Sequence, residues 1–176
     1  DQDGNMELID GQQRLTTLML LLRAIFPYIE ENNNASGTFY QIKSALWQLG
    51  NDEMPIRTSP NMFAEHEFTV DFDSFKYIFE HGHTKLDDDN RESAKTTYEK
   101  NYIFLRKKVQ DTFEEYRRAE NIIQFKNLVD YILRTTILNV FITENVGDAM
   151  ETFKVLNTKG LPLADADLFR TAIISN

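Results

Sequence analysis

The residues with the clearest chemical potential lie in one short block near the start of the chain. Residues 8–17 are Leu-Ile-Asp-Gly-Gln-Gln-Arg-Leu-Thr-Thr, an apolar pair followed by Asp-Gly and then by an amphipathic run. This pattern is typical of a chain that leaves a strand through a tight turn and enters a helix. Because the first N–H groups of a helix point out of its positive end, such a start can bind phosphate. The side-chain amides of Gln12 and Gln13 would add hydrogen-bond donors, and Arg14 would add a permanently charged guanidinium that can donate two parallel hydrogen bonds.

The same block also fits a purely structural role. Asp10 is a good N-cap residue, and Gln13 stands three positions later, where its side chain can reach back to the cap backbone. Such a capping box needs no ligand. The residues alone therefore leave two interpretations open, a phosphate cradle and a helix cap.

A second polar block lies near the end of the chain. Residues 157–160 are Asn-Thr-Lys-Gly, and a proline stands two positions later. One interpretation is a helix that ends here, with Gly160 in the left-handed cap position. The other places Asn157 and Lys159 beside Arg14, where they would complete a polar pocket.

Together the two blocks resemble the signature of the GmrSD-type restriction endonuclease N-terminal domain family. The first motif is Ile-Asp-Gly-Gln-Gln-Arg-Leu-Thr-Thr at 9–17. The second is Phe-Lys-Val-Leu-Asn-Thr-Lys-Gly-Leu-Pro-Leu at 153–163, followed by Ala-Asp-Leu-Phe at 166–169. The resemblance implies a core like that of ParB and sulfiredoxin, in which a Gly-x-x-Arg helix start holds nucleotide phosphates. It also implies a prokaryotic protein that binds and hydrolyses nucleoside triphosphates and restricts modified foreign DNA.

The resemblance can be carried over residue by residue. The first motif corresponds to Asp10, Gly11, Gln12, Gln13 and Arg14, and the second to Asn157, Lys159, Gly160 and Asp167. It implies a nucleoside triphosphate (GTP, ATP, CTP or UTP) with Mg²⁺ as the ligand. The nucleotide would contact the first motif together with Asn157 and Lys159, and Gln13 and Arg14 would act in catalysis.

Each residue of the first motif then has an expected role. Arg14 would hold phosphate charge, while Gln12 and Gln13 would donate to phosphate or position water. Gly11 would let the backbone approach the ligand. Asp10 would cap the helix or hold a magnesium-bound water, and of these two roles we favour the cap.

The chain departs from the full family pattern at both ends. The family usually has an upstream segment with a Tyr-Gln-Arg-like motif on its first strands, and many relatives continue into a His-Asn-His-type nuclease domain. We therefore expect residues 1–176 to form one domain, the central and C-terminal part of a GmrSD-like N-terminal domain. DNA cleavage is not assigned to these residues.

Several partners and two further functions follow from this expectation. Foreign or modified DNA would be contacted through the full-length protein, which would also supply a partner nuclease domain or form a homo-oligomer. The first alternative to a nucleotide-dependent enzyme is a non-catalytic module of a defence protein that binds DNA or a partner. The second is an inactive structural remnant.

The composition is that of a globular domain with an acidic surface. Nineteen basic and 28 acidic side chains give a formal charge of −9, which opposes nonspecific binding to nucleic-acid phosphates over the whole surface. The absence of cysteine excludes disulfides and thiolate chemistry and is compatible with a reducing cytosol. The longest apolar run, residues 18–22, is too short to span a bilayer. We expect a cytoplasmic protein that does not bind membranes.

The apolar pattern predicts a mainly helical α+β fold, a helical bundle packed on a small sheet remnant. Helices are expected over about 11–31, over 98–116 and over 122–132, and a short helix with Asp71 or Asp73 as its cap should end at Gly82. Residues 137–142 have the composition of a buried strand. Further helices should follow from Gly147 and around residues 168–173. The segment 38–70 is ambiguous between helix and strand, and Pro55 and Pro60 should bracket an irregular stretch within it.

Three other groups of residues do not meet the requirements of a binding site. The acidic run 87–90 lacks the glycine and glutamate spacing of an EF-hand. His81 and His83 have no third histidine close in sequence, so no metal site is predicted there. The basic groups 106–108 and 117–118 are interspersed with glutamates and predict a mixed-charge, solvent-exposed face.

Overall fold

The apolar residues that repeat at helical spacing after Arg14 form the expected first helix, α1 (Gln12–Asn32), which continues through Pro27. The computed structural model describes residues 11–32, 37–61, 70–85, 93–138, 142–143 and 145–158. Within them, α1 is followed by α2 (Gly37–Leu46), β1 (Trp47–Leu49), β2 (Pro55–Pro60), α3 (Val70–His81), α4 (Thr97–Arg118), α5 (Ile122–Thr135) and α6 (Val146–Thr158). The prediction of a mainly helical α+β fold is confirmed.

The chain divides into two compact units by its internal contacts. Unit 1 combines Asp1–Gln13 with Ile137–Asn176, and unit 2 comprises Arg14–Thr136. The main hydrophobic core lies in unit 2, where Leu20, Phe26 and Ile29 of α1 are completely buried. The indole of Trp47 packs edge-on against Phe26, with a centroid distance of 4.9 Å. Burial of such large side chains supplies most of the favourable free energy of folding.

The ambiguous segment consists of a helix followed by a hairpin. Residues 37–46 form α2, and β1 and β2 pair in antiparallel orientation, with Trp47 opposite Pro60. The prediction that Pro55 and Pro60 bracket an irregular stretch is wrong, because they are the first and last residues of β2. In a two-stranded sheet both strands are edges, so a proline without an N–H is tolerated there.

The short helix α3 ends as expected but begins earlier. Gly82 follows its last residue with φ +76°, and the Gly82 N–H donates to the carbonyl of Ile78 at 2.8 Å. The prediction that Asp71 or Asp73 caps the helix is wrong, because the helix begins at Val70 and includes both residues. Acidic residues near a helix start interact favourably with its dipole without acting as caps.

A capping box starts α4 and ties it to α3. The Glu99 N–H donates to Thr96 Oγ1 at 3.1 Å, and the Glu99 carboxylate accepts from the Thr96 N–H at 3.0 Å. Glu99 is only 4% exposed, and its carboxylate also accepts from the Ser74 hydroxyl on α3. Donors from two segments therefore surround this buried carboxylate, as buried charge requires.

The helix α4 ends in a Schellman motif without a glycine. The Asn121 N–H donates to the Tyr116 carbonyl at 2.9 Å, and the Glu120 N–H donates to the Arg117 carbonyl at 3.1 Å. These are the two bonds that define the motif, and its left-handed position is occupied by Glu120, with φ +53°.

We therefore expect Glu120→Gly to stabilise unit 2 by about 0.5–1 kcal/mol, because glycine adopts the left-handed region without steric cost. The urea midpoint of unfolding should rise. Glu115→Gly is the matched control, since it places a glycine in the interior of the same helix at another exposed glutamate, and it should lower the midpoint. An unchanged or lower midpoint for Glu120→Gly would contradict this account.

The remaining helices follow the predicted order. Phe125 of α5 packs on Phe113 of α4 at a centroid distance of 5.1 Å, after a short link at 119–121. In unit 1, α6 starts at Val146, and the Asn145 side chain accepts from the Asp148 N–H at 2.8 Å as an N-cap. The helix predicted around 168–173 lies outside the described residues. None of the described helices is long and apolar enough to span a bilayer.

The strand predicted at 137–142 is not formed by its described residues. Ile137, Leu138 and Ile142 have no strand structure and are 83%, 60% and 74% exposed. A run of β-branched residues forms a strand only where a neighbouring strand accepts its hydrogen bonds. No described residue pairs with these three.

Candidate functional site

The start of α1 has a backbone geometry that would let a ligand approach the main chain closely. Gly11 has φ +83° and stands directly before Gln12, the first helical residue. Apart from its chain neighbours, no atom of the described residues lies within 4 Å of a Cβ built on Gly11, so the space beside this backbone is open among them. The cap position of the helix is therefore at Gly11, one residue after the predicted cap. The predicted cap, Asp10, itself lies outside the described residues.

The side chains of the first turn are polar and exposed, and the helix enters the core immediately after them. Gln12, Gln13 and Arg14 are exposed, whereas Thr16 is 7% exposed. Each of the three residues in this turn also interacts with another part of the chain. The first turn itself contains no acidic residue, although Asp10 precedes it in the sequence. This geometry can accept an anion beside a forked cationic donor.

The second block is described only in part. Asn157 lies in the last turn of α6, which ends at Thr158. Lys159, Gly160 and Asp167 lie outside the described residues, so both interpretations of this block remain predictions. Unit 1 includes the positions of Gln12, Gln13 and Asn157, whereas Arg14 is the first residue of unit 2.

The basic groups on α4 belong to a face of balanced charge. Arg117 forms a salt bridge with Glu114 through Nη2 and Oε2 at 2.5 Å. A groove of about 1010 Å³ runs beside the helix, and its charged lining consists of Arg106, Lys107, Arg118, Asp111, Glu114 and Glu115. Because three basic side chains are balanced by three acidic ones, the groove lacks the net positive charge that would attract nucleic-acid phosphates. The predicted mixed-charge face is confirmed, while the acidic run 87–90 lies outside the described residues.

A buried arginine is the main polar feature of unit 2 that the sequence pattern did not indicate. Arg23, on α1, is 2% exposed, and its Nε donates to the Phe79 carbonyl at 3.0 Å, in the last turn of α3. Its guanidinium lies 5.2 Å from the centroid of the Trp47 ring. Burial lowers the pKa of the Arg23 guanidinium, and the nearby Arg57 adds to this effect. Arg23 therefore caps a helix end from inside the core.

These features define a mainly helical chain in which a glycine precedes a helix with a polar, exposed first turn. The chain belongs to the GmrSD restriction endonuclease, N-terminal domain family, whose sequence model matches residues 1–174. No curated protein and no solved structure gave a significant match. Membership of this family indicates a part of a DNA restriction protein that acts in phage defence.

Proposed function

We propose that this domain binds a nucleoside triphosphate at the start of α1 and thereby controls the attack of its restriction protein on foreign DNA. The observation that carries the proposal is the open space beside Gly11, followed by an exposed first turn with Arg14 and no acidic residue. The γ- and β-phosphates would approach the helix end, where the dipole and the guanidinium both favour negative charge.

Each residue of the motif has a task in this mechanism. The backbone at Gly11 would lie against the phosphates, because no Cβ keeps them away. Arg14 would neutralise charge that develops on the phosphoryl group, while Gln12 and Gln13 would donate to phosphate oxygens or orient the attacking water. Mg²⁺ would accompany the nucleotide and neutralise part of its phosphate charge. Asn157 and Lys159 would complete the polar pocket, and Asp10, which precedes the cap, would hold a magnesium-bound water.

The test is a calorimetric titration of GTP, ATP, CTP and UTP with Mg²⁺ into the full-length protein. We expect Arg14→Ala to weaken binding of the preferred nucleotide by about 10–100-fold, as for loss of a charged hydrogen-bonding partner. Arg14→Lys should retain part of the affinity, since lysine keeps the positive charge but cannot form the two parallel hydrogen bonds of a guanidinium. Because Arg14 is exposed, these variants leave the core of unit 2 intact.

Arg118→Ala is the matched control, because it removes an exposed arginine from the α4 groove. It should leave nucleotide affinity unchanged. Equal affinity of wild type and Arg14→Ala, with both folded, would refute the role of Arg14. No binding of any nucleotide, combined with binding of modified DNA, would favour the non-catalytic binding module instead.

A further inference from the structure

We propose that His81 and His83 form a surface site for a divalent transition metal such as Ni²⁺ or Zn²⁺. His81 Nδ1 lies 3.1 Å from the Tyr77 carbonyl oxygen, and His83 Nδ1 lies 2.8 Å from that of Thr84. A carbonyl oxygen can only accept, so in each neutral ring Nδ1 carries the hydrogen and Nε2 keeps its lone pair. Metal-binding histidines have this arrangement, in which a backbone carbonyl orients the ring and fixes its tautomer.

The two rings are close enough to share one ion. They pack around Tyr77, whose ring centroid lies 4.1 Å from that of His81 and 5.5 Å from that of His83. The two imidazole centroids are 5.8 Å apart. Metal–nitrogen bonds of about 2.0–2.1 Å in tetrahedral geometry require a centroid separation of roughly 5.2 Å. Both histidines are exposed, so their side chains have room to rotate and direct both Nε2 atoms at one ion.

The surrounding charges act on a cation in both directions, since the Arg23 guanidinium lies beside Gly82 and Lys76 pairs with Glu80. The rings lie at the C-terminal, negative end of α3, and Glu80 Oε2 is 3.9 Å from His81 Nδ1. Lys85 opposes a cation, with its Nζ 5.3 Å from the centroid of the Tyr77 ring. Among the described residues no group of three or more His, Asp or Glu could hold a metal. Water would therefore fill the remaining coordination positions, and the affinity should be modest.

The test is a calorimetric titration of NiCl₂, ZnCl₂ and MgCl₂ into the untagged chain. We expect one Ni²⁺ or Zn²⁺ to bind per chain with a roughly micromolar Kd and Mg²⁺ not to bind, because imidazole is a poor ligand for a hard cation. His81→Gln and His83→Gln should each weaken binding at least about tenfold, and Lys85→Met should strengthen it. The control is His66→Gln, which changes the third histidine of the chain and should bind as wild type does.

Wild-type affinity in both His81→Gln and His83→Gln would overturn the proposal. An independent readout is the long-range ¹H–¹⁵N spectrum of the imidazoles, in which both neutral rings should be Nδ1–H tautomers and Nε2 should shift when Zn²⁺ is added. Nε2–H tautomers in both rings would also overturn it, whatever the calorimetry shows.

Discussion

Gly82→Ala is expected to lower the free energy of unfolding of unit 2 by about 2–4 kcal/mol. The backbone at Gly82 has φ +76°, where an L side chain costs roughly 1–2 kcal/mol. The added Cβ would also collide with Arg23 Nη2. That guanidinium cannot simply move away, because its Nε is bonded to the Phe79 carbonyl and its plane lies near the Trp47 ring.

The measurement is urea unfolding followed by the fluorescence of Trp47, the single tryptophan of the chain, which is completely buried in unit 2. Gly37→Ala is the matched control, because Gly37 is the first residue of α2 and its Cβ would meet no atom within 4 Å. This change should be neutral or stabilising by up to about 1 kcal/mol, since alanine favours helix. Equal urea midpoints for Gly82→Ala and Gly37→Ala would show that neither the backbone conformation nor the contact with Arg23 destabilises the Gly82 variant.

Local signals in the sequence explain why much of unit 2 could be predicted. The apolar repeat of α1 and the helix-ending glycine of α3 depend on neighbours within a few residues, so periodicity and glycine chemistry suffice. The polar start of α1 was recognisable for the same reason. Its cap position could not be fixed as easily, because Asp10 and Gly11 are both acceptable caps.

The errors concern features that depend on distant parts of the chain. A strand needs a partner, and nothing within residues 137–142 reveals whether one is present. The two prolines of β2 were expected to interrupt regular structure, because the sequence does not show that this strand lies at a sheet edge. The proposed place of Asn157 beside Arg14 is likewise a non-local prediction, which residue spacing does not determine.

Arg23 shows the same principle for a charged side chain. Its position between the apolar residues Leu22 and Ala24 gives no indication of burial, since arginine is usually exposed. The structure buries it because three elements supply compatible surfaces: the Phe79 carbonyl, the face of Trp47 and the ring of Phe26, whose centroid is 5.9 Å from the guanidinium carbon. A helix-end carbonyl and two aromatic rings contact the guanidinium, and the charge of the nearby Glu30 carboxylate partly offsets the cost of burying it.

Arg23→Ala should consequently destabilise unit 2 by about 3 kcal/mol or more, through the cavity and the loss of a donor to the Phe79 carbonyl. Arg23→Met should cost only about 1–2 kcal/mol, because methionine fills most of the volume although it too removes the donor to the Phe79 carbonyl. Urea unfolding with Trp47 fluorescence again measures both. If the two variants lose the same stability, the charged hydrogen bond matters more than the packing volume, contrary to this account.

The Met variant also separates the two causes of the Gly82 effect. In the Arg23→Met background the Nη2 atom is absent, so Gly82→Ala should retain only its backbone cost of roughly 1–2 kcal/mol. The double-mutant cycle should therefore show a coupling of about 1–2 kcal/mol between the two positions. If the stability losses of the two single variants simply add, the Arg23 guanidinium can move away from a Cβ at position 82 at no cost in stability. The capping bond from Arg23 to α3 would then contribute little to holding α1, β1 and α3 together.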